Sequence, residues 1–163
     1  MNRRELMSAA AAAAASACIV APAFAAGASA ATAFLRGVYE REIVRHNRRL
    51  PPDNDGFYAL FTREMRELMH APRRPDPNAL DGPILHALFG SGALPGREVV
   101  LDRITTVRED AGTATVNVAL AVLGNRRNVV VAMLRQDGAW RVSDIDYGNG
   151  ETLRARYKRA TGR

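Results

Sequence analysis

Residues 113–123 constrain the fold more tightly than any other stretch. Val116, Val118, Leu120 and Val122 alternate with Thr115, Asn117, Ala119 and Ala121. A side-chain period of two belongs to a strand, and apolar residues on one side only mean a sheet with one buried face. Such a strand needs partners, and the neighbouring stretches supply them. Residues 98–108 carry Val99, Leu101 and Val107 among polar positions, residues 128–135 are largely apolar, and residues 139–146 follow a turn. Gly124-Asn125 marks one turn. Asp137-Gly138 is a strong hairpin pair, because a two-residue turn needs positive φ at its centre. The expected unit is a meander of about four antiparallel strands. Smaller residues on the other face of the second and third strands allow tight curvature.

The chain before the meander has the helical period. Phe34, Leu35, Val38, Tyr39, Glu42, Ile43 and Arg45 recur on residues 31–49, with Arg36, Glu40, Arg41 and Arg48 outward. Pro51-Pro52 stops that helix. Asp53-Asn54-Asp55-Gly56 supplies an N-cap to a second helix, expected to run on to about His70. Its apolar stripe is Phe57, Leu60, Phe61, Met65, Leu68 and Met69. Residues 71–78, with three prolines, read as loop, residues 83–89 as one or two helical turns, and residues 90–96 as loop again. A short helix from Gly150 to Arg159, with Leu153 and Tyr157 inward, closes the chain. Helices followed by a meander make an α+β domain: N-terminal helices packed on a curved antiparallel sheet, with a short C-terminal helix.

Residues 1–25 belong to export rather than to the fold. Arg3 and Arg4 precede an Ala-rich apolar run over residues 8–21, and Pro22-Ala23-Phe24-Ala25 ends in an A-x-A site, so cleavage is expected after Ala25. Ala28 and Ala30 offer later sites. Arg3-Arg4 followed by Leu6-Met7 also resembles a twin-arginine signal. An uncleaved anchor and a lipid-modified Cys18 are the competing readings, weakened by Pro22 and by the apolar Ile19-Val20-Ala21 after the cysteine. Cys18 is the only cysteine and leaves with the signal, so residues 26–163 form a single domain that relies on an ordinary core rather than disulfides. The location that follows is periplasmic or secreted.

The full chain carries 23 Lys+Arg against 17 Asp+Glu, or +6; removing Arg3, Arg4 and Glu5 leaves +5. Basic charge invites a nucleic-acid partner, but an exported protein rarely meets one. Lys158 is the only lysine, so part of the arginine excess reflects base composition. The expected partner is a small molecule or a protein, not nucleic acid. Basic charge also favours weak contact with anionic membrane surfaces, and an open sheet face is a ready interface for a homodimer.

Three segments carry a family resemblance. They are Asp81-Gly82-Pro83-Ile84-Leu85-His86-Ala87, then Trp140-Arg141-Val142-Ser143-Asp144-Ile145 with the later Leu153-Arg154, and the Phe34-Leu35-Arg36 start with Tyr39. Together they resemble the exported bacterial proteins grouped as DUF3828, which are similar in plan to the cone-shaped NTF2-like fold. Many members have a Gln-Asp pair after the Ala, where this chain has Leu88-Phe89. The resemblance implies export and a fold of helices on a curved sheet. It implies no activity.

Tyr39, Asp81, His86, Trp140 and Asp144 are the candidate ligand-binding residues. In an NTF2-like enzyme an acid on the concave face acts as a base once burial raises its pKa. A regular strand points Trp140, Val142 and Asp144 to one side, but Ile145 breaks the alternation, which suggests a bulge. Asp144 therefore reads first as scaffold and second as chemistry, and Asp146 as part of the following loop. Asp81 and His86 suit a pocket mouth. His46 and His70 sit at helix ends and read as structural. Three scattered histidines make no metal site, and Pro51 and Thr62 stand where a calcium loop built on Asp53-Asn54-Asp55-Gly56 needs acids. Glycine-rich phosphate loops, serine elbows and Cys–His pairs are absent, so no cofactor and no catalytic set is expected. The first expectation is an exported binding module for a small ligand or a protein. A small pocket enzyme (isomerase, dehydratase or hydrolase) and an inhibitor of a secreted enzyme are the alternatives.

Overall fold

A computed structural model describes residues 29–72, 86–90, 97–148 and 150–162. The signal segment and Asp81 lie outside them. The elements run α1 (Ala30–Asn47), α2 (Asn54–Tyr58), α3 (Arg63–His70), α4 (His86–Phe89), β1 (Val99–Glu109), β2 (Thr113–Val122), β3 (Asn125–Gln136), β4 (Ala139–Asp146) and α5 (Leu153–Thr161). The four strands form one antiparallel sheet in chain order. The architecture is the α+β plan expected from the two periodicities.

The α1 stripe is the helical one: Leu35, Val38, Tyr39, Glu42, Ile43 and His46 are buried. Ser29 caps its start by accepting from Thr32 N. Both ends are tied to β1. Ser29 and Thr32 share hydroxyl hydrogen bonds with Thr106. At the other end Asn47 Nδ2 donates to Val99 O at 2.8 Å, while Val99 N donates to Asn47 Oδ1 at 3.0 Å. The helix therefore lies antiparallel to β1 and covers the first half of the sheet. His46, expected at an arginine-rich helix end, is buried against Phe89, with ring centroids 5.6 Å apart.

The second helix is two helices, not one. α2 ends at Tyr58 and α3 begins at Arg63. Between them the chain runs parallel to β4: Val142 N donates to Leu60 O and Thr62 N donates to Val142 O. Thr62 then caps α3 by accepting from Met65 N. The break satisfies the open edge of β4, which a continuous helix leaves bare. All six residues of the expected stripe are still buried.

The sheet departs from regular alternation at defined places. Register shifts fall between Leu101 and Arg103 and between Thr106 and Arg108 in β1. The first moves the inward phase to Ile104 and Thr106, and Val107, unpaired in the second, is 59% exposed instead of in the core. The β2–β3 turn is Leu123-Gly124, both at positive φ, rather than Gly124-Asn125. Strand β3 consequently begins at Asn125, three positions before its expected start at 128. Asp137-Gly138 forms the expected hairpin, with φ of 52° and 77°. α5 starts at Leu153 rather than Gly150, with Thr152 as its cap. On the less covered face of β2 and β3, Thr115, Ala119, Ala121, Val130 and Ala132 are small and half-buried.

Candidate functional site

The sheet ends unevenly, and the unevenness makes a cleft. Pairing between β3 and β4 stops at Val130↔Asp146. Pairing between β2 and β3 continues to Val122↔Asn125. Residues 125–129 thus stand beyond β4, a step of roughly 17 Å at the usual strand rise. The chain after β4 folds back along this step. Gly148 N donates to Asp146 Oδ1 at 2.8 Å, Tyr147 N donates to Glu151 O, and Asp146 bridges Thr152. Gly148 and Gly150 take positive φ in this turn.

The opening that results has a volume of about 320 Å³ and is lined by Phe89, Gly90, Arg126, Arg127, Asn128, Val129, Tyr147, Glu151 and Arg156. That is room for about ten waters. Successive strand residues face opposite ways, so Arg126 and Arg127 are normally on different surfaces. Arg127 pairs with the buried Leu120, and Arg126 pairs with Ala121. Arg127 therefore continues the inward row of Val129, Val131 and Met133, at the point where that row meets the opening. Both arginines border the same cleft because no strand flanks β3 on that side.

The other wall comes from α5 and the preceding turn. Arg156 Nη2 donates to Glu151 Oε2 at 2.9 Å, and its guanidinium lies 5.0 Å from the centre of the Tyr147 ring. Arg159 holds the second oxygen of Glu151. The hydrogen bond from Arg156 is the main cause that keeps the Glu151 carboxyl below its ordinary pKa. Arg156 Nε is buried and has no hydrogen-bond partner among the described residues. Tyr147 anchors the roof: its hydroxyl donates to Ala87 O at 2.6 Å, and burial pushes its pKa up. Gly90 keeps the entrance clear, because a Cβ there meets the Tyr147 ring at 3.3 Å and Arg127 Nη1 at 3.7 Å.

The candidate residues read from sequence are not gathered at one place. Tyr39 is fully buried on α1 and donates to Leu88 O at 3.0 Å. Burial raises its pKa far above the ordinary phenol range, so it stays a donor. It fixes α4 from behind the cleft wall. Leu88 and Phe89 are fully buried core. His86 opens α4, but its side chain, like Asp81, lies outside the described residues. Trp140 pairs with Arg135 at the hairpin end of the sheet, opposite the cleft, and is buried.

Asp144 is turned by the bulge in β4, a register shift opposite Ala132 and Met133. Trp140, Val142 and Ile145 are buried, while Asp144 is half-buried. Its Oδ1 accepts from Ile145 N at 2.8 Å and from Arg154 N at 2.9 Å. It caps α5 together with Thr152, which accepts from Ala155 N. Among the described residues no group of three or more His, Cys, Asp or Glu is placed to hold a metal, and no helix is long and apolar enough to cross a membrane.

The apolar run that marks the third strand begins at 128, so Arg126 and Arg127, which the structure places in β3, carry no strand signal of their own. An arginine in phase with Val129, Val131 and Met133 was the available signal. No known family profile, curated protein or solved structure matches the chain.

Proposed function

We propose that the protein is an exported binding module, periplasmic or secreted, that holds a small polar ligand in the cleft beside the overhanging end of β3 without converting it. The observation that carries this is the cleft itself: Arg126, Arg127, Asn128, Tyr147, Glu151 and Arg156 are among the described residues that line one opening. A general base needs a free carboxylate or imidazole with a pKa near the working pH. Glu151 is engaged by two arginines and its pKa is lowered, so it is a weak base. Tyr39 and Asp144 are committed to holding α4 and α5. This favours binding over the pocket-enzyme alternative. The export reading is supported by the Ala-rich segment ending at Ala25 and by the resemblance to exported DUF3828 proteins.

Native mass spectrometry of protein purified from the periplasm tests the proposal. The expected result is a chain beginning at Ala26, or at Ser29 or Ala31 if a later site is used, with a non-covalent mass that is lost on Tyr147→Ala. Turnover of a substrate that disappears on Asp144→Ala, with the fold intact, overturns it in favour of an enzyme.

A further inference from the structure

The sheet has two outer edges, and the chain treats them differently. β4 is met at its edge by residues 60–62. Along β1, among the described residues, only Val99 has its outward N–H and C=O taken, by the Asn47 side chain. We infer that the rest of the β1 edge is an interface with a second copy of this chain. The two β1 strands pair antiparallel about a two-fold axis at Thr105 and make one sheet, four strands from each copy.

The hydrogen-bond phase says which groups face out. In an antiparallel pair alternate residues exchange bonds with the neighbour, and the others turn their N–H and C=O away. Leu123 N donates to Glu98 O at one end of the β1–β2 ladder, and Asp110 N donates to Thr113 O at the other. Counted from both ends through the two register shifts, the outward positions are Val99, Leu101, Ile104, Thr106 and Glu109. The shifts do not break this row. Its members lie opposite Val122, Leu120, Val118, Val116 and Ala114, evenly spaced along β2. Beyond Val99 the row is symmetric about Thr105. An antiparallel copy therefore sets Ile104 against the second copy's Thr106 and Leu101 against its Glu109, and each pairing occurs twice. Every outward group of the row then finds a partner, whereas any shifted alignment leaves some bare.

The exposed side chains favour the same alignment. At each shift two consecutive residues are exposed, Asp102 with Arg103 and Val107 with Arg108. Across the two-fold axis Asp102 faces the second copy's Arg108, and Thr105 meets its own counterpart. Opposite charges and threonine pairs directly across strands are favourable. Arg108 reaches Asp110 at 2.9 Å within one copy, but that arginine is 75% exposed and such a pair is weak enough to yield. Val107, exposed in the single chain, comes to lie beside the alkyl stem of the second copy's Arg103. A strand edge is small against the roughly 800 Å² per partner of a standard interface. A dissociation constant of about 10–100 µM is therefore expected.

Sedimentation velocity of the processed protein from about 5 µM to about 1 mM, with amide hydrogen exchange at both extremes, tests the inference. A monomer that becomes a dimer is expected. The amides of Leu101, Ile104 and Thr106 should gain about tenfold or more protection in the dimer. Those of Val100 and Thr105, which face β2, should not change. Asp102→Arg should weaken association about tenfold, because the like-charged pair occurs twice. Adding Arg108→Asp swaps the charges and should restore affinity to within about threefold of wild type. Leu134→Arg, on the open face of the sheet, should leave association unchanged. Melting curves show that each variant keeps its fold, and the exchange measurement needs no variant. A monomer at about 1 mM overturns the inference. So does strong protection of the three outward amides in the dilute monomer, which means that the chain itself covers the edge. Association that survives Asp102→Arg but is lost on Leu134→Arg also overturns it, in favour of pairing through the sheet face.

Discussion

Substituting Asp144 with alanine separates scaffold from chemistry in β4. The carboxylate accepts two backbone N–H groups through Oδ1, from Ile145 and from Arg154, and lies 4.0 Å from Arg154 Nε. Arg154 N is one of the free donors in the first turn of α5, so its loss resembles loss of a helix cap, about 0.5–2 kcal/mol. The bond to Ile145 N, which holds the bulge, adds about 1 kcal/mol. The ion pair is long and its arginine is more than a third exposed, so it adds at most about 0.5 kcal/mol. The total is about 1.5–3.5 kcal/mol, which for a domain of this size lowers Tm by roughly 5–11 °C. Thermal and urea unfolding followed by circular dichroism measure it. Arg154→Ala sharpens the test, because it removes the guanidinium and keeps the N–H that Asp144 binds. The coupling energy in the double-mutant cycle should therefore be below about 0.5 kcal/mol, far smaller than the cost of Asp144→Ala. A Tm within about 1 °C of wild type, or a coupling as large as the single-mutant cost, refutes the capping argument.

Tyr39→Phe removes the buried donor to Leu88 O and should cost about 1–2 kcal/mol, with faster hydrogen exchange at residues 87–90 as α4 loosens. Gly90→Ala combines a φ of +74° with the 3.3 Å approach to Tyr147, so calorimetry should show a loss of about 1–2 kcal/mol. Thr62→Ala removes the cap of α3 and should cost about 1 kcal/mol in urea unfolding. Glu151 has a folded pKa below the unfolded value of about 4.3. Its stabilisation is therefore complete above that value and is lost as pH falls through the folded pKa. Glu151→Gln should lower Tm at neutral pH, and the difference from wild type should shrink steadily as pH falls below the unfolded value of about 4.3; a pH-independent difference means that its carboxylate is not what stabilises.

The fold was legible because periodicity reports burial, and burial set most of the elements. Val116, Val118, Leu120 and Val122 are all buried as the alternation of β2 requires. The second helix shows the limit of that signal. Phe57, Leu60, Phe61, Met65, Leu68 and Met69 are all buried as expected, yet the backbone between them is extended at Phe61. An apolar stripe specifies which residues go inward and not which local hydrogen bonds carry them there. The edge of β4 decided that, and it is distant in sequence. Val107 departs for a related reason: the register shift at Asp102 moves the inward phase of β1 to Ile104 and Thr106, Val107 falls in the second shift, and neither residue announces a bulge.

The cleft was less legible than the fold because it depends on where pairing stops rather than on what any strand contains. β3 continues to Asn125 because the Leu123-Gly124 turn is tight, and β4 stops at Asp146 because that side chain folds the following turn onto Gly148. The two ends are set independently, and only their mismatch exposes the β3 edge. Arg126 and Arg127 border the same opening because of that mismatch, since paired strands on both sides would have sent them to opposite surfaces. Asp144 shows the reverse case. Read as a regular strand residue it belongs beside Trp140 on the core face. One bulged residue turns it to α5, where its acceptors meet backbone N–H groups instead of a ligand. In both places the residue types were visible in the sequence. The backbone irregularity that assigned their roles was set by partners elsewhere in the chain.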